Sequence, residues 1–234
     1  MLIRDISEKD LMLDPGKEAE YFKVGSDALD ICKRILGGRT PKRILDFPSG
    51  YGRVLRYFRM EWPNSEIFGI ETDRDALDFV QAKFGATPVI ADPELKMEVP
   101  NNADLIFSGS LLTHFDDWQW DLFLNLCIEA LSPDGTFIFT THGRIAALLA
   151  KDKHPVYGNM IDMEQLYKKY QKDGFAFEPY SKDYPTFGLS LSSPEWIMQR
   201  LQKMPSVKIV YFEEGGWGQD VIALRRNPWP LIQP

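Results

Sequence analysis

The chain has 234 residues, of which 44% are apolar and 26% charged, and a formal net charge of -7. That length suits one domain, or one domain with an insertion, and it buries a substantial core without disulfides or metals. The negative balance argues against a polyanionic partner such as nucleic acid, and the nearest basic pair, Lys168-Lys169, sits among acids as on a solvated helix face.

In chain order, Met1 to Asp10 (MLIRDISEKD) lacks the basic and apolar regions of a secretory leader. No apolar run reaches about 18 residues, so no membrane span is expected and a cytosolic protein is. Glu18 to Leu36 carries Phe22, Leu29, Ile31 and Ile35 at helical spacing and stops at Gly37-Gly38. Arg43 to Phe47 reads as a buried strand and Gly52 to Met60 as a helix. Glu66 to Glu71 is a second strand. A helix from Asp73 to Phe84 follows, with Thr72 or Asp73 as N-cap and Gly85 as its stop. Pro88 to Ala91 and Ala103 to Ser108 read as the third and fourth strands, and Asp117 to Leu131 as a helix. The SPDG stretch, 132–135, reads as a turn into a strand from Thr136 to Thr141.

Strands alternating with helices imply a parallel sheet covered on both faces, with right-handed crossovers. The rhythm breaks after about Arg144. Helical pieces are expected at Met163 to Gln171 and Pro194 to Met204, with a Pro- and Gly-containing region between them. The closing VKIVYFEE and DVIALRR, joined by GGWGQ, read as an antiparallel hairpin. Cys32 and Cys127 lie in apolar contexts and outside any CxxC pair, as buried free thiols do. His114, His142 and His154 are scattered, without metal-ligand spacing, and no metal is expected.

The stretch RILDFPSGYGRVLRYF, residues 43–58, places an acid, a glycine-containing bend and a helix start together. In an open parallel sheet, ligands bind beyond the carboxyl ends of the strands. Asp46 ends the first strand, and Gly50 and Gly52 let backbone approach a ligand closely. Glu71 ends the second strand, where a carboxylate can accept both ribose hydroxyls. Asp92 ends the third, within reach of an adenine edge. The dinucleotide fingerprint G-x-G-x-x-G is incomplete, because Leu55 stands where its third glycine would be. No G-x-x-x-x-G-K-[ST] phosphate loop is present. An acid at this bend favours a cationic ligand over a pyrophosphate.

Asp46 to Gly52 resembles the D-x-G-x-G-x-G loop of class I S-adenosylmethionine-dependent methyltransferases, with Pro48 at the first glycine position. GIETDRDAL resembles that family's second motif, with Glu71 as the ribose acid. ADLIFSGSLLTHF and LSPDGTFIFTT resemble its fourth- and fifth-strand motifs. The resemblance runs in consecutive order from about Ile44 to Thr141. It implies a Rossmann-like three-layer αβα sandwich with a mostly parallel seven-stranded sheet, order 3-2-1-4-5-7-6, and an antiparallel last strand. It also implies one methyltransferase domain over 1–234, with an N-terminal helical cap, 1–40, and a lid or substrate insertion at about 145–205. S-adenosylmethionine would be the cofactor, held by Asp46, Phe47, Pro48, Ser49, Gly50, Gly52, Glu71, Thr72, Asp92, Ser108, Gly109 and Ser110. Pro48 fixes φ and offers no N–H, so this loop has one donor fewer than the family pattern.

Methyl transfer asks the protein to align a nucleophile and exclude water, and a base helps when the nucleophile is a hydroxyl. His114, after the fourth strand, is a candidate base, with Asp116 or Asp117 to orient it or to cap the next helix. His142, after the fifth strand, is a candidate for a substrate role or a turn cap. VYGNM, FEPYSKDYPTFGLS and SPEW are aromatic-rich, as the wall of an apolar pocket or a packed insertion would be. GGWGQDV, with Trp217, Gln219 and Asp220, resembles a terminal signature of some methyltransferases of this broad class and has no expected role beyond edge-strand packing. The expected function is methyl transfer to oxygen or nitrogen of a small-molecule acceptor, with no nucleic acid or membrane partner. A non-catalytic S-adenosylmethionine-binding module or partner subunit on the same fold is the alternative, and a nicotinamide-dependent oxidoreductase is disfavoured by the missing third glycine.

Overall fold

The computed structural model describes residues 1–152 and 161–227. Its elements run α1 (Glu18–Leu36), β1 (Arg43–Asp46), α2 (Leu55–Glu61), β2 (Glu66–Glu71), α3 (Arg74–Phe84), β3 (Thr87–Ile90) and β4 (Ala103–Ser108). A 3-10 turn (Leu112–His114), α4 (Asp117–Ala130), β5 (Leu131–Thr141), α5 (Arg144–Lys151) and α6 (Met163–Asp173) follow. The chain ends with β6 (Phe175–Ser181), β7 (Tyr184–Ser192), α7 (Pro194–Leu201), β8 (Val207–Glu213) and β9 (Asp220–Arg226).

Seven strands form one sheet in the order β3-β2-β1-β4-β5-β9-β8, and β6 and β7 pair separately. This is the expected Rossmann-like order, with the closing hairpin moved from sixth and seventh to eighth and ninth place by the extra pair. β1 runs parallel to β2 and β4, placing Asp46 beside Gly69 on one side and Phe107 on the other. β2 and β3 are parallel, and β8 and β9 antiparallel. Among the described residues no helix is long and apolar enough to cross a membrane. Both cysteines are buried free thiols.

The chain divides into two compact units, residues 1–108 with 129–138, and residues 109–128 with 139–234. In the first, Ile44, Leu45, Ile67, Ile70, Leu105 and Ile106 are buried strand residues. Their near-continuous apolar runs are those of a parallel sheet covered on both faces. Helix α3 is capped as its sequence implies: the Asp73 side chain accepts from the Asp75 N–H, and Gly85 at φ 62° closes it. Helix α2 begins at Leu55, three residues later than expected, because Gly50 and Gly52 take left-handed φ of 48° and 77°. Buried Arg56 then ties this bend to the N-terminal segment, donating to the carbonyls of Gly52 (3.0 Å) and Asp5 (2.9 Å).

In the second unit, fully buried Trp120 meets Phe139, Phe175 and Trp196 edge-on, and Phe175 stacks on Trp196 at 4.4 Å. Ala146, Ala147 and Ala150 of α5 pack with Met163 and Leu166 of α6 and with Ala176, Leu189 and Leu191 of the β6–β7 pair. The expected irregular region between the two helical pieces is therefore an antiparallel hairpin. Pro179 and Pro185 read as breakers in sequence, but in a two-stranded sheet every strand is an edge and tolerates proline. Likewise β5 starts at Leu131, so Ser132 to Gly135, expected as a turn, belongs to the strand. His154 and the VYGNM stretch, residues 156–160, lie outside the described residues.

Candidate functional site

The first unit brings the expected strand-end acids into one neighbourhood. The Ser49 N–H donates to the Ile70 carbonyl (3.0 Å), which lays the bend after β1 across the tip of β2. The Gly50 N–H donates to Glu71 Oε2 (3.1 Å), while Glu71 Oε1 accepts from the Thr72 N–H (2.7 Å) and hydroxyl (3.0 Å). The Glu71 carboxylate is thus held in place at the strand tip by backbone and hydroxyl donors. Phe47 is buried and its N–H donates to the Phe107 carbonyl (2.9 Å); the Phe47–Pro48 peptide is cis. At Gly50 an added Cβ would meet nothing within 4 Å, whereas at Gly52 it would sit 2.5 Å from the Phe84 ring. The bend is packed on its inner side and open at Gly50.

Asp46 is 2% exposed and its Oδ2 has no hydrogen-bond partner. Burial holds its carboxyl well above the usual carboxylate range, and the nearby Glu71 carboxylate pushes the same way; Arg53 and the Leu55 N–H oppose them. Two carboxylates so placed favour a cation in their vicinity, which fits a sulfonium-bearing ligand. Asp92 lies two residues beyond β3, and its Oδ1 accepts from the Glu94 N–H (2.7 Å), so one oxygen is engaged in its own turn. Ser108 is fully buried at the end of β4, with Oγ unpartnered.

The Asp46 burial gives a stability prediction. A carboxyl whose folded pKa lies above its unfolded value costs nothing below about pH 3.8, and the cost grows as pH rises toward the folded value. Asp46→Asn is therefore expected to raise the unfolding temperature of the ligand-free protein at neutral pH, by about 2–4 °C per kcal/mol relieved. The gain disappears in calorimetric scans at pH 3.5. The same variant is expected to bind S-adenosylhomocysteine more weakly.

The second unit assembles the other candidates. His114 Nδ1 lies 2.9 Å from the Gly188 carbonyl and 2.9 Å from the Tyr180 hydroxyl. A carbonyl only accepts, so Nδ1 carries the proton and Nε2 is the acceptor nitrogen of the ring. Burial lowers the His114 pKa, against the opposing effect of Gly188. Of the two roles expected for Asp116 or Asp117, orienting this ring or capping the next helix, their contacts lie at the helix start: Asp116 accepts from the Asp117 N–H, and Asp117 pairs with Arg200. The orienting groups come from the β6–β7 hairpin, which sequence reasoning missed. Gly188 is required there, since an added Cβ would lie 2.1 Å from the Glu178 carbonyl oxygen.

His142 is buried, and burial, aided by His114, pushes its pKa down to about 4. Its Nε2 lies 3.4 Å from Gln219 Nε2. A neutral ring of such low basicity suits hydrogen bonding better than proton uptake. Gln219 has a larger part than edge-strand packing: its Oε1 accepts from Thr140 Oγ1 (2.5 Å) and its Nε2 donates to Ser110 Oγ (2.8 Å). The Ser110 N–H in turn donates to Thr140 Oγ1 (2.8 Å). These bonds hold Ser110 at φ 59°, a left-handed conformation that side chains resist. Asp220 beside it is buried, accepts from the Gly215 N–H (3.0 Å), and has its carboxyl pKa raised by burial. Among the described residues no group of three His, Cys, Asp or Glu could hold a metal ion.

The clamp on Ser110 is testable as a cycle. Gln219→Ala is expected to cost about 1–2 kcal/mol in urea unfolding. In a Ser110→Gly background, where φ 59° carries no strain, the same change is expected to cost less than half of that.

Residues 44–135 match the model of the family described as "Methyltransferase domain". A search of the curated proteins finds no match. Among solved structures, a protein from Pyrococcus horikoshii OT3 superposes with a TM-score of 0.64 at 13% identity, covering 89% of this chain and 92% of that chain. DhpI, solved as its SAH complex, gives a TM-score of 0.59 at 14% identity over 94% of this chain and 93% of that chain. The plantazolicin methyltransferase BpumL, solved with a monoazolic desmethylPZN analog and SAH, gives 0.60 at 14% identity over 90% and 86%.

Proposed function

We propose that this chain is a class I S-adenosylmethionine-dependent methyltransferase, as the methyltransferase-domain match over residues 44–135 and the fold support, and that it transfers the methyl group to a hydroxyl oxygen of a small-molecule acceptor. The observation that supports the choice of oxygen is the Nδ1–H of His114 held by the Gly188 carbonyl, the tautomer in which Nε2 is the basic nitrogen of the ring. When bound, S-adenosylmethionine supplies a methyl carbon on a sulfonium, whose C–S bond pair stays with sulfur as the acceptor oxygen bonds the methyl.

The remaining work belongs to the chain's own side chains. Glu71 accepts the two ribose hydroxyls, and its carboxylate is already ordered by Gly50 and Thr72. Asp46 places negative charge near the cationic end, with Phe47, Pro48, Ser49, Gly50 and Gly52 forming the bend around it. Thr72, Asp92, Ser108, Gly109 and Ser110 complete the cofactor-binding set. His114 takes the proton, and His142 supports Gln219 and the β4 exit. Residues 1–40 act as an N-terminal cap and 145–205 as the acceptor-selecting insertion, to which the β6–β7 hairpin belongs.

Purified protein incubated with S-adenosylmethionine and separate panels of hydroxyl and amine acceptors tests this reading. Release of S-adenosylhomocysteine with hydroxyl acceptors is expected. Turnover confined to amines contradicts it.

A further inference from the structure

Arg56 sits in the first turn of α2, in the first unit, and is 1% exposed. Burying a guanidinium is costly unless its N–H groups find acceptors. Here the acceptors come from two places. Nε donates to the Gly52 carbonyl (3.0 Å), which also accepts from the Arg56 N–H (3.2 Å). Nη1 donates to the carbonyls of Ile3 (3.3 Å) and Asp5 (2.9 Å), and Nη2 to the Tyr21 hydroxyl (3.2 Å). That hydroxyl donates in turn to buried Asp10 (2.6 Å); burial and this bond raise its pKa, so it keeps its proton. The Asp10 carboxylate therefore balances the guanidinium charge from one hydroxyl away. The ring centroids of Tyr21, Phe22 and Phe84 lie 5.3, 5.4 and 5.1 Å from the guanidinium carbon. Residues 3–10 thus form a strap, tied also to α3 by the Asp5–Lys83 and Lys9–Asp75 ion pairs. At the other end, Gly52 at φ 77° has the Phe84 ring behind it and no room to move inward. Its carbonyl is fixed by Arg56 and its N–H by the Ser49 carbonyl (2.9 Å), which sets where the neighbouring Gly50 N–H meets Glu71 (3.1 Å).

We propose that Arg56 is a positioning residue of the donor site, which couples the seating of residues 3–10 to the shape of the Ser49–Gly52 bend and so to donor affinity. The inference rests on the methyltransferase reading above and adds a residue that acts through Gly52, from the packed side of the bend. A lysine cannot replace it, because a single ammonium has no planar fork to reach Gly52 and the strap carbonyls together. Coupling of this kind is reciprocal. If a seated strap favours the donor, the donor favours a seated strap, and the message passes through the guanidinium in both directions.

The test uses the full chain as wild type, Arg56→Lys, Arg56→Met and the milder Tyr21→Phe, which loses only the hydroxyl between Arg56 and Asp10. S-adenosylhomocysteine affinity is read by calorimetry at a temperature where circular dichroism shows each protein folded. Backbone hydrogen exchange is read by mass spectrometry with and without S-adenosylhomocysteine. Affinity is expected to weaken about ten- to thirtyfold in both Arg56 variants and about two- to fivefold in Tyr21→Phe. In the wild type, S-adenosylhomocysteine is expected to slow exchange in residues 3–10, and in Arg56→Met that protection is expected to be lost. A purely structural arginine would lower the unfolding temperature and leave both readouts unmoved. Unchanged affinity in the folded Arg56 variants, or strap protection that persists in Arg56→Met, overturns the inference. If neither Arg56 variant folds, unchanged affinity in Tyr21→Phe overturns it alone. Absence of binding heat in the wild type is a different outcome: it removes the donor reading itself, and the role of Arg56 with it.

Discussion

Glu71→Ala is expected to weaken S-adenosylmethionine binding about 100-fold. The carboxylate at the tip of β2 would accept two ribose hydroxyls, and hydrogen bonds to a charged group are worth about 1.5–3 kcal/mol each. Losing the pair removes about 3 kcal/mol, which is ~10²-fold in affinity. The variant also releases the Gly50 N–H, which Glu71 Oε2 holds at 3.1 Å. Because these contacts would be equal in ground and transition states, the loss should fall on KM, with kcat at saturating cofactor changed only a few-fold. Glu71→Gln keeps acceptor geometry at one oxygen and removes the charge, so an intermediate loss is expected. Steady-state kinetics with cofactor varied, beside thermal unfolding of both variants, separates binding from stability. An unchanged KM for cofactor in both variants removes Glu71 from the binding site.

His114→Gln is expected to lower kcat by about 10²- to 10⁴-fold, the usual contribution of a positioned general base. The glutamine can still approach the Gly188 carbonyl but has no acceptor nitrogen to protonate. The pH profile gives the sharper sign. Burial lowers the His114 pKa below its ordinary 6.5, so the neutral, proton-accepting ring persists to lower pH than for a free histidine. In the wild type the rate should therefore fall on an acid limb placed below pH 6.5. The limb should vanish in His114→Gln. A variant that retains both rate and limb excludes His114 as the proton acceptor.

The two largest effects come from parts of the chain that differ in how openly the sequence displays them. Glu71, Gly50 and the first four strands lie within segments whose periodicity and punctuation are local. The apolar runs of β1, β2 and β4 and the Asp73 and Gly85 caps of α3 each need only neighbouring residues to be read. The three-residue delay in α2 was hidden because the left-handed φ of Gly50 and Gly52 extends the bend, and nothing in the composition distinguishes that from an immediate helix start. The second unit depends on distant pairing. His114 is held by Gly188, 74 residues later, and Ser110 by Gln219, 109 residues later. The hairpin that supplies Gly188 carries two prolines, which a local reading takes as loop. Gln219 itself sits in a glycine-rich turn, where its sequence context suggests only a connection between β8 and β9.

The central claim is that the bend after β1 and the acid at the tip of β2 hold an adenosyl sulfonium donor. Isothermal titration of the wild-type protein with S-adenosylhomocysteine tests it most directly, because the product needs neither acceptor nor turnover. The account predicts saturable heat with one site per chain, and weakening of that binding in Glu71→Ala. Absence of binding heat and of any thermal shift with both S-adenosylhomocysteine and S-adenosylmethionine, in protein shown to be folded, would contradict it.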